Sequence, residues 1–182
     1  MRIIGGSLKG RRFSPPRHFK GRPTTDFGRE GLFNLLRSRL ELDGLEALDL
    51  FAGSGAVSYE LASRGAVSVT AIEQDSGACR YIQKQALDFG LDAIRVVRAD
   101  VFAFLGRAMT QYELVFADPP YTDPRLETLP DLVREAGLVA KGGLFILEHG
   151  DRRDFSEAGG FVEMRTYAHV HFRFFDLHGD EY

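Results

Sequence analysis

The chain has 182 residues, of which 44% are hydrophobic and 27% are charged, and this balance is typical of one globular domain. No apolar run is long enough to span a membrane, and the first residues lack the apolar stretch of a signal peptide. The single cysteine, Cys79, excludes an internal disulfide bond and a zinc site built from several thiolates, so we expect a cytoplasmic monomer that binds neither a metal nor a membrane.

Positive charge is concentrated near the N-terminus. The net charge is −3, but residues 1–41 contain ten of the 23 Lys and Arg side chains and only three of the 26 Asp and Glu side chains. A basic segment on an acidic body suits a polyanionic partner, because Lys and Arg neutralise phosphates and release their counterions. A solvated basic tail without a partner is equally compatible with the charge alone.

The first 23 residues are predicted to form a separate arm. Residues 2–4 and 11–13 flank a glycine-rich turn over residues 5–10, which predicts a two-stranded ribbon, and three prolines keep residues 14–23 extended. A ribbon of this size is not stable alone, so we expect it to display charge and the rest of the chain to fold without residues 1–14. Its candidate phosphate contacts are Arg2, Lys9, Arg11 and Arg12.

Residues 24–182 are predicted to form the main domain. A helix begins near Thr24–Asp26, and from residue 45 apolar strand-like runs alternate with helical patterns that begin after Gly55, Asp75, Asp100 and Asp123. Repeated strand–helix units predict a parallel sheet covered by helices on both faces. The last two runs have no helix between them, so they should form an antiparallel hairpin at the sheet edge. The seven predicted strands are 45–51, 67–72, 94–97, 112–117, 144–147, 161–167 and 168–176.

A glycine-rich loop and two acids indicate a cofactor site. Asp49 ends the first strand, and Gly53-Ser54-Gly55 open the following helix, where backbone N–H groups can approach a ligand closely. Glu73 and Asp100 end the next two strands, and ligands of open α/β sheets bind at that edge. Helix N-capping by Asp100 and a solvated strand end at Glu73 are the alternatives.

The segment Asp118-Pro119-Pro120-Tyr121 follows a buried strand and is the candidate catalytic motif. An amino group on a base is a poor nucleophile, because its lone pair is delocalised into the ring. Acceptors on Asp118 and on the Pro119 carbonyl could bind its two hydrogens and favour a pyramidal nitrogen, while Tyr121 stacks on the base. A rigid turn between strand and helix is the alternative explanation.

These motifs resemble those of a known family. The Asp118–Tyr121 segment resembles motif IV of amino-methylating, S-adenosylmethionine-dependent methyltransferases, and the Asp49–Gly55 stretch resembles their motif I. The segments Arg2–Gly6, Gly10–Arg12 and Arg22–Asp26, followed by Arg29-Glu30, are similar to the signature of the RsmD family, which methylates N2 of one guanine in bacterial 16S ribosomal RNA.

The resemblance implies a Rossmann-like class I methyltransferase fold in residues 24–182, S-adenosylmethionine as cofactor, and 16S rRNA in the small ribosomal subunit or an assembly intermediate as partner. It adds Arg22 and Arg29 to the RNA-binding candidates. The cofactor-binding residues implied are Thr25, Asp49, Phe51, Gly53, Ser54, Gly55, Glu73, Gln74, Asp100, Val101 and Asp118.

Other activities are compatible with the same motifs. An amino methyltransferase could act on another RNA, on DNA adenine or on protein glutamine, although DNA enzymes usually carry a target-recognition domain for which 182 residues leave no room. A dinucleotide-fold protein could also bind RNA without catalysis. His169 and His171 fall on one face of the predicted edge strand, and with His149 they lack the further ligand that a metal site requires.

Overall fold

The computed structural model describes residues 1–15, 25–150, 155, 157–167 and 169–177. Its seven-stranded sheet has the order β3-β2-β1-β4-β5-β7-β6. The strands are β1 (Glu46–Leu50), β2 (Ser68–Glu73), β3 (Ile94–Arg98), β4 (Tyr112–Ala117), β5 (Val139–His149), β6 (Phe161–Tyr167) and β7 (Val170–Phe175). The helices are α1 (Asp26–Leu36), α2 (Ala56–Ser63), α3 (Ser76–Phe89), α4 (Val101–Leu105) and α5 (Leu129–Glu135), with a 3-10 turn at Pro124–Thr128.

The sheet confirms the predicted α/β class. Strands β1 to β5 pair in parallel, and β1 lies in the middle, between β2 and β4. Strands β6 and β7 form the predicted antiparallel hairpin. The chain order of this hairpin differs from its spatial order, because β7 pairs with β5 and leaves β6 outermost. The prediction that the His-rich strand lies at the edge is therefore wrong, since β7 is paired on both sides.

Two of the helices that follow the strands are short. Helix α4 has five residues and is capped at its C-terminus by Gly106, and the helical pattern after Asp123 divides into the 3-10 turn and the seven residues of α5. Pro130, near the start of α5, has no N–H to continue the preceding turn. None of the helices in the described ranges is both long and apolar enough to cross a bilayer.

Alternation along the strands gives the sheet two buried faces. One face packs against α4 and α5 through residues such as Leu48 and Val115, and the other packs against α1 and α2 through Ala47 and Phe116. Parallel strands end at a common edge, so the loops after β1, β2, β3 and β4 all open there. The candidate site residues follow those strand ends.

The N-terminal segment is part of the core. Arg2 and Arg12 form the antiparallel bridge of the predicted ribbon, and Phe13 N donates to the Met1 carbonyl (3.1 Å). Ile3 and Phe13 are buried in a cluster with Tyr59 of α2, at 0% and 4% exposed. The expectation that the fold is independent of residues 1–14 therefore does not agree with the packing. The division at residue 23 stays a prediction.

Candidate active site

The loop between β1 and α2 has an unusual backbone. Phe51, Gly53 and Gly55 all have positive φ, at 63°, 55° and 77°. A β-carbon at Gly55 would lie 2.7 Å from the Tyr59 hydroxyl, so this position excludes side chains on conformational and on steric grounds. Phe51, as a bulky residue in the left-handed region, marks local strain of the kind that clusters at ligand sites. The loop has the shape that the predicted cofactor site requires.

Asp49 lies beneath this loop, at the end of β1. It is 2% exposed, and its Oδ2 accepts a hydrogen bond from the Ser58 hydroxyl (2.5 Å). Burial raises the pKa of the Asp49 carboxyl from 3.8 to about 7, and the nearby charge of Glu73 adds to the rise while Ser58 opposes it. The group is therefore poised to change its charge near neutral pH or when a cation binds beside it.

Glu73 connects the glycine loop to the end of β2. Its Oε2 accepts from Gly53 N (2.9 Å) and its Oε1 accepts from Asp75 N (2.8 Å). Asp75 in turn caps α3 by accepting from Ala78 N (2.7 Å). Glu73 is therefore not simply a solvated acid at a strand end, because both of its carboxylate oxygens accept hydrogen bonds from backbone N–H groups. Gln74 follows as an exposed residue.

Asp100 performs two tasks at the end of β3. It caps α4 by accepting from Ala103 N (3.0 Å), as the N-capping alternative proposed, and it lies 3.5 Å from Nη1 of Arg125. The Arg125 guanidinium covers the ring of Phe102 at 3.9 Å from the centroid. Val101, the residue between Asp100 and Phe102, is buried. No separate signal for Arg125 is visible in the sequence, because its position depends on the turn after the catalytic motif.

The catalytic motif leaves β4 beside this loop. Asp118 is half-buried, Pro119 is buried, and Pro120 and Tyr121 are exposed. Asp118 N donates to the carbonyl of Leu50 on the neighbouring β1 (3.4 Å), so the motif and the loop after β1 leave the sheet at the same level. The structure thereby brings together the two motifs that the sequence places more than sixty residues apart.

Tyr121 contacts a residue that sequence reasoning missed. Its hydroxyl donates to Oε1 of Glu148 (3.1 Å), a carboxylate at the end of β5 that is 2% exposed. The available signal was an acid that directly follows the wholly apolar predicted strand 144–147. The next residue, His149, stacks with His171 at 5.3 Å between ring centroids. Across the described part of the chain, no group of three or more His, Cys, Asp or Glu side chains is placed to hold a metal.

The predicted RNA contacts of the ribbon lie on the surface. Arg2, Lys9, Arg11 and Arg12 are exposed, and Arg11 also covers the ring of Phe89 at 5.2 Å. Their charges are accessible to a polyanion. Arg22 and the first residue of the predicted helix start, Thr24, lie outside the described residues. Thr25 caps α1, where its hydroxyl accepts from Gly28 N (3.1 Å).

Arg29 requires a correction. Its side chain is 0% exposed, and Nη2 donates to Oδ1 of Asp26 (2.5 Å) and to the carbonyl of Arg2 (2.8 Å). Nη1 lies 3.5 Å from Oε2 of Glu60, which is itself fully buried. No phosphate can reach this guanidinium, so the predicted RNA contact is wrong. Arg29 instead joins α1 to the N-terminal segment and to α2.

Comparisons with known proteins show what the whole chain is similar to. The family model described as conserved hypothetical protein 95 matches residues 1–176. Ribosomal RNA small subunit methyltransferase D of Escherichia coli is 37% identical over 148 residues, which cover 81% of this chain and 74% of the relative. A putative rRNA methyltransferase of Bacillus subtilis is 31% identical over 173 residues and covers 90% of both chains. The solved structure of a putative methyltransferase from Escherichia coli superposes with a TM-score of 0.82 at 32% identity and covers 96% of each chain.

Proposed function

Since the chain belongs to the family described as conserved hypothetical protein 95, we propose that it transfers the methyl group of S-adenosylmethionine to N2 of one guanine in 16S ribosomal RNA. The chain is a methyltransferase, as its relatives are named, and it shares their target class, ribosomal RNA of the small subunit. The proposal adds the methyl donor, the guanine base and the residues that carry the reaction. It places the enzyme in the cytoplasm, as a monomer.

One observation supports this proposal above the others: the glycine loop after β1 and the Asp118–Tyr121 motif after β4 leave neighbouring strands at the same sheet edge. A methyl donor in the loop and a base against the motif would then be neighbours. Group transfer requires its two reactants to be held within about 3–3.5 Å of each other. The alternatives that lack catalysis explain a rigid turn at that point, but they give no reason for the half-buried acid Asp118 and the exposed ring of Tyr121 on that turn.

The residues at this edge fit S-adenosylmethionine, which has a positive charge at sulfur, an ammonium group, ribose hydroxyls and an adenine. The acids Asp49, Glu73 and Asp100 offer acceptors for the hydroxyls and for the positive groups. The other residues proposed to hold the cofactor are Thr25, Phe51, Gly53, Ser54, Gly55, Gln74, Val101 and Asp118. When bound, the cofactor supplies a methyl group that is activated by the positive charge on sulfur.

Asp118, Pro119 and Tyr121 are proposed to bind the guanine. Acceptors on the Asp118 carboxylate and the Pro119 carbonyl bind the two hydrogens of the N2 amino group and favour a nitrogen with an available lone pair. Pro120 stiffens the turn that presents them. Tyr121 is 41% exposed, so part of its side chain is accessible to a base. The new N–C bond would form as the C–S bond of the cofactor breaks, S-adenosylhomocysteine would leave with the electron pair on sulfur, and the surplus proton on nitrogen would be released to water.

The exposed ribbon arginines are proposed to bind phosphates. Arg2, Lys9, Arg11 and Arg12 are exposed on a protein whose remaining residues carry a net negative charge. A guanine that pairs in a duplex cannot present its amino group, so the base must lie in an exposed loop or be flipped out. Contacts to several phosphates make the activity fall steeply with salt.

The test uses small ribosomal subunits from cells that lack the enzyme. Incubation with S-adenosylmethionine labelled in its methyl group should place the label in N2-methylguanosine of 16S rRNA, as identified by nucleoside analysis. Subunits from cells that contain the enzyme are the matched control, because their target guanine is already methylated and should take up little label. Label in adenosine, or equal uptake by both kinds of subunit, would overturn the proposal.

A further inference from the structure

The ring of Tyr121 is held on two sides. On one side its hydroxyl donates to Glu148 Oε1 (3.1 Å). On the other side the ring lies directly against Gly150: a β-carbon at that position would be 2.9 Å from Cδ2 and 3.2 Å from Cε2 of Tyr121. Any side chain at Gly150 would therefore displace the ring.

The first of these supports, Glu148, belongs to a well-packed part of the sheet. Glu148 is 2% exposed and extends β5, which pairs with β4 so that Leu147 lies beside Ala117. By this register Glu148 follows at the level of Asp118, the residue at which the catalytic motif begins. The hydroxyl of Tyr121 is thus fixed to the strand adjacent to the motif itself.

Gly150 is fixed by a chain of hydrogen bonds that begins on β7. Arg173 Nε donates to Nε2 of His149 (2.9 Å), and both side chains are buried. An arginine N–H can only donate, so Nε2 is the acceptor and the proton of the neutral imidazole is on Nδ1. That Nδ1–H donates to the carbonyl of Gly150 (2.8 Å). The backbone against the Tyr121 ring is therefore held in place from β7.

We propose that Glu148 and Gly150 are positioning residues, which hold the ring of Tyr121 in the orientation that stacks on the target base. This inference rests on the proposed function. A ring that is fixed before the base arrives loses less conformational freedom on binding than a mobile one. Neither residue touches the base in this arrangement, so each acts through Tyr121.

The first experiment is a double-mutant cycle of Tyr121→Phe and Glu148→Gln, assayed as single-turnover methylation of small subunits from cells that lack the enzyme. Each single variant should lower the rate by about threefold to tenfold, the effect of one weakened hydrogen bond. The double variant should be no slower than Tyr121→Phe, because the bond to Glu148 is already absent there. Affinity for S-adenosylhomocysteine should not change, and Glu135→Gln, an exposed acid on α5, is the matched control.

The second experiment tests Gly150 in the same way. Gly150→Ala should lower the rate by about tenfold in the wild-type background and should have no effect in Tyr121→Ala, whose own loss of roughly 5- to 150-fold stays within the range of a single-turnover assay. Gly106→Ala is the control, since a β-carbon there would lie 3.8 Å from its nearest neighbour.

The outcomes separate this inference from the proposed function. If the wild-type enzyme leaves the small subunit unmethylated, the proposed function fails. If the wild type is active and the losses multiply in either double variant, Glu148 or Gly150 acts independently of Tyr121 and the positioning role is overturned. A rate unchanged by Glu148→Gln or by Gly150→Ala in the wild-type background overturns it as well.

Discussion

The proposed cofactor side and the proposed base side of the site are built differently. On the cofactor side, carboxylates accept hydrogen bonds from backbone N–H groups: Glu73 binds those of Gly53 and Asp75, and Asp100 caps α4. On the base side, side chains hold one another across strands, as in Tyr121 with Glu148. Backbone contacts fix the shape of a loop whatever the neighbouring side chains are. A contact between two side chains is changed by a single substitution in either residue. We therefore expect substitutions on the base side to change substrate specificity more readily than substitutions on the cofactor side.

The largest expected effect tests the base side. Asp118→Ala should lower methyl transfer to small subunits by about 100- to 1000-fold, because its proposed acceptor acts mainly in the transition state. S-adenosylhomocysteine binding, measured by calorimetry, should persist, since most of the residues proposed to hold the cofactor are unchanged in this variant. Near-normal turnover would show that Asp118 has no part in the mechanism. Loss of S-adenosylhomocysteine binding together with loss of activity would show that Asp118 serves the cofactor as well as the base.

The next largest effect concerns the packing of the N-terminal segment beneath the glycine loop. Phe13 packs edge-on against Tyr59 at 5.2 Å between centroids, and Tyr59 lies beneath Gly55 of the glycine loop. Phe13→Ala should lower the free energy of unfolding by about 3 kcal/mol, as measured by urea denaturation, because it opens a cavity in a buried cluster. The exposed neighbour Arg12 gives the control: Arg12→Ala should leave stability nearly unchanged and weaken activity on subunits. Equal stability of Phe13→Ala and wild type would show that the main domain folds independently of the N-terminal segment, as the sequence predicted.

The placement of the acids on the proposed cofactor side could be predicted from the sequence for a physical reason. Strand–helix repeats place successive acids at one edge, so the positions of Asp49, Glu73 and Asp100 follow from periodicity and a known topology. Tyr121 and Glu148 are 27 residues apart, and their contact depends on how β5 pairs beside β4. Nothing local in the sequence encodes that pairing.

Arg29 shows the limit of carrying a family motif over residue by residue. The resemblance implied an RNA contact for Arg29, but Arg29 lies on α1 among buried residues, where the ion pairs with Asp26 and Glu60 compensate its charge. Helical spacing alone could have indicated this, because Arg29 shares a face with the buried Leu32, Phe33 and Leu36. The ribbon was misjudged for a similar reason, since Ile3 and Phe13 are too apolar for a segment that only displays charge.

A pH measurement probes the acid beneath the glycine loop. Burial raises the pKa of Asp49 to about 7 in the folded chain, above its value of 3.8 when unfolded. The folded state therefore binds more protons between these values, and the contribution of Asp49 to stability falls as pH rises through that interval. The loss between pH 5 and pH 7 should be about 2 kcal/mol. Asp49→Asn removes the titration, so the stability difference between wild type and variant should shift by that amount across the interval. The exposed Asp92→Asn is the control, and a difference that stays constant with pH would contradict the raised pKa.

The smallest expected effect decides whether Glu73 serves the ligand or the loop. Glu73→Ala removes acceptors from Gly53 N and Asp75 N, so affinity for S-adenosylmethionine should fall by about 1–2 kcal/mol, as measured by calorimetry. Glu73→Gln keeps one acceptor oxygen but loses the charge. If the main task of Glu73 is to hold Gly53, the Gln variant should retain affinity within about 0.5 kcal/mol of wild type, because a neutral carbonyl still accepts from an N–H. If the carboxylate binds the cofactor directly, Gln and Ala should be similarly impaired, because charge-assisted bonds are roughly twice as strong as neutral ones. Full affinity in both variants would show that cofactor binding does not depend on the hydrogen bonds of Glu73, so that the cofactor side tolerates a loss that the base side does not.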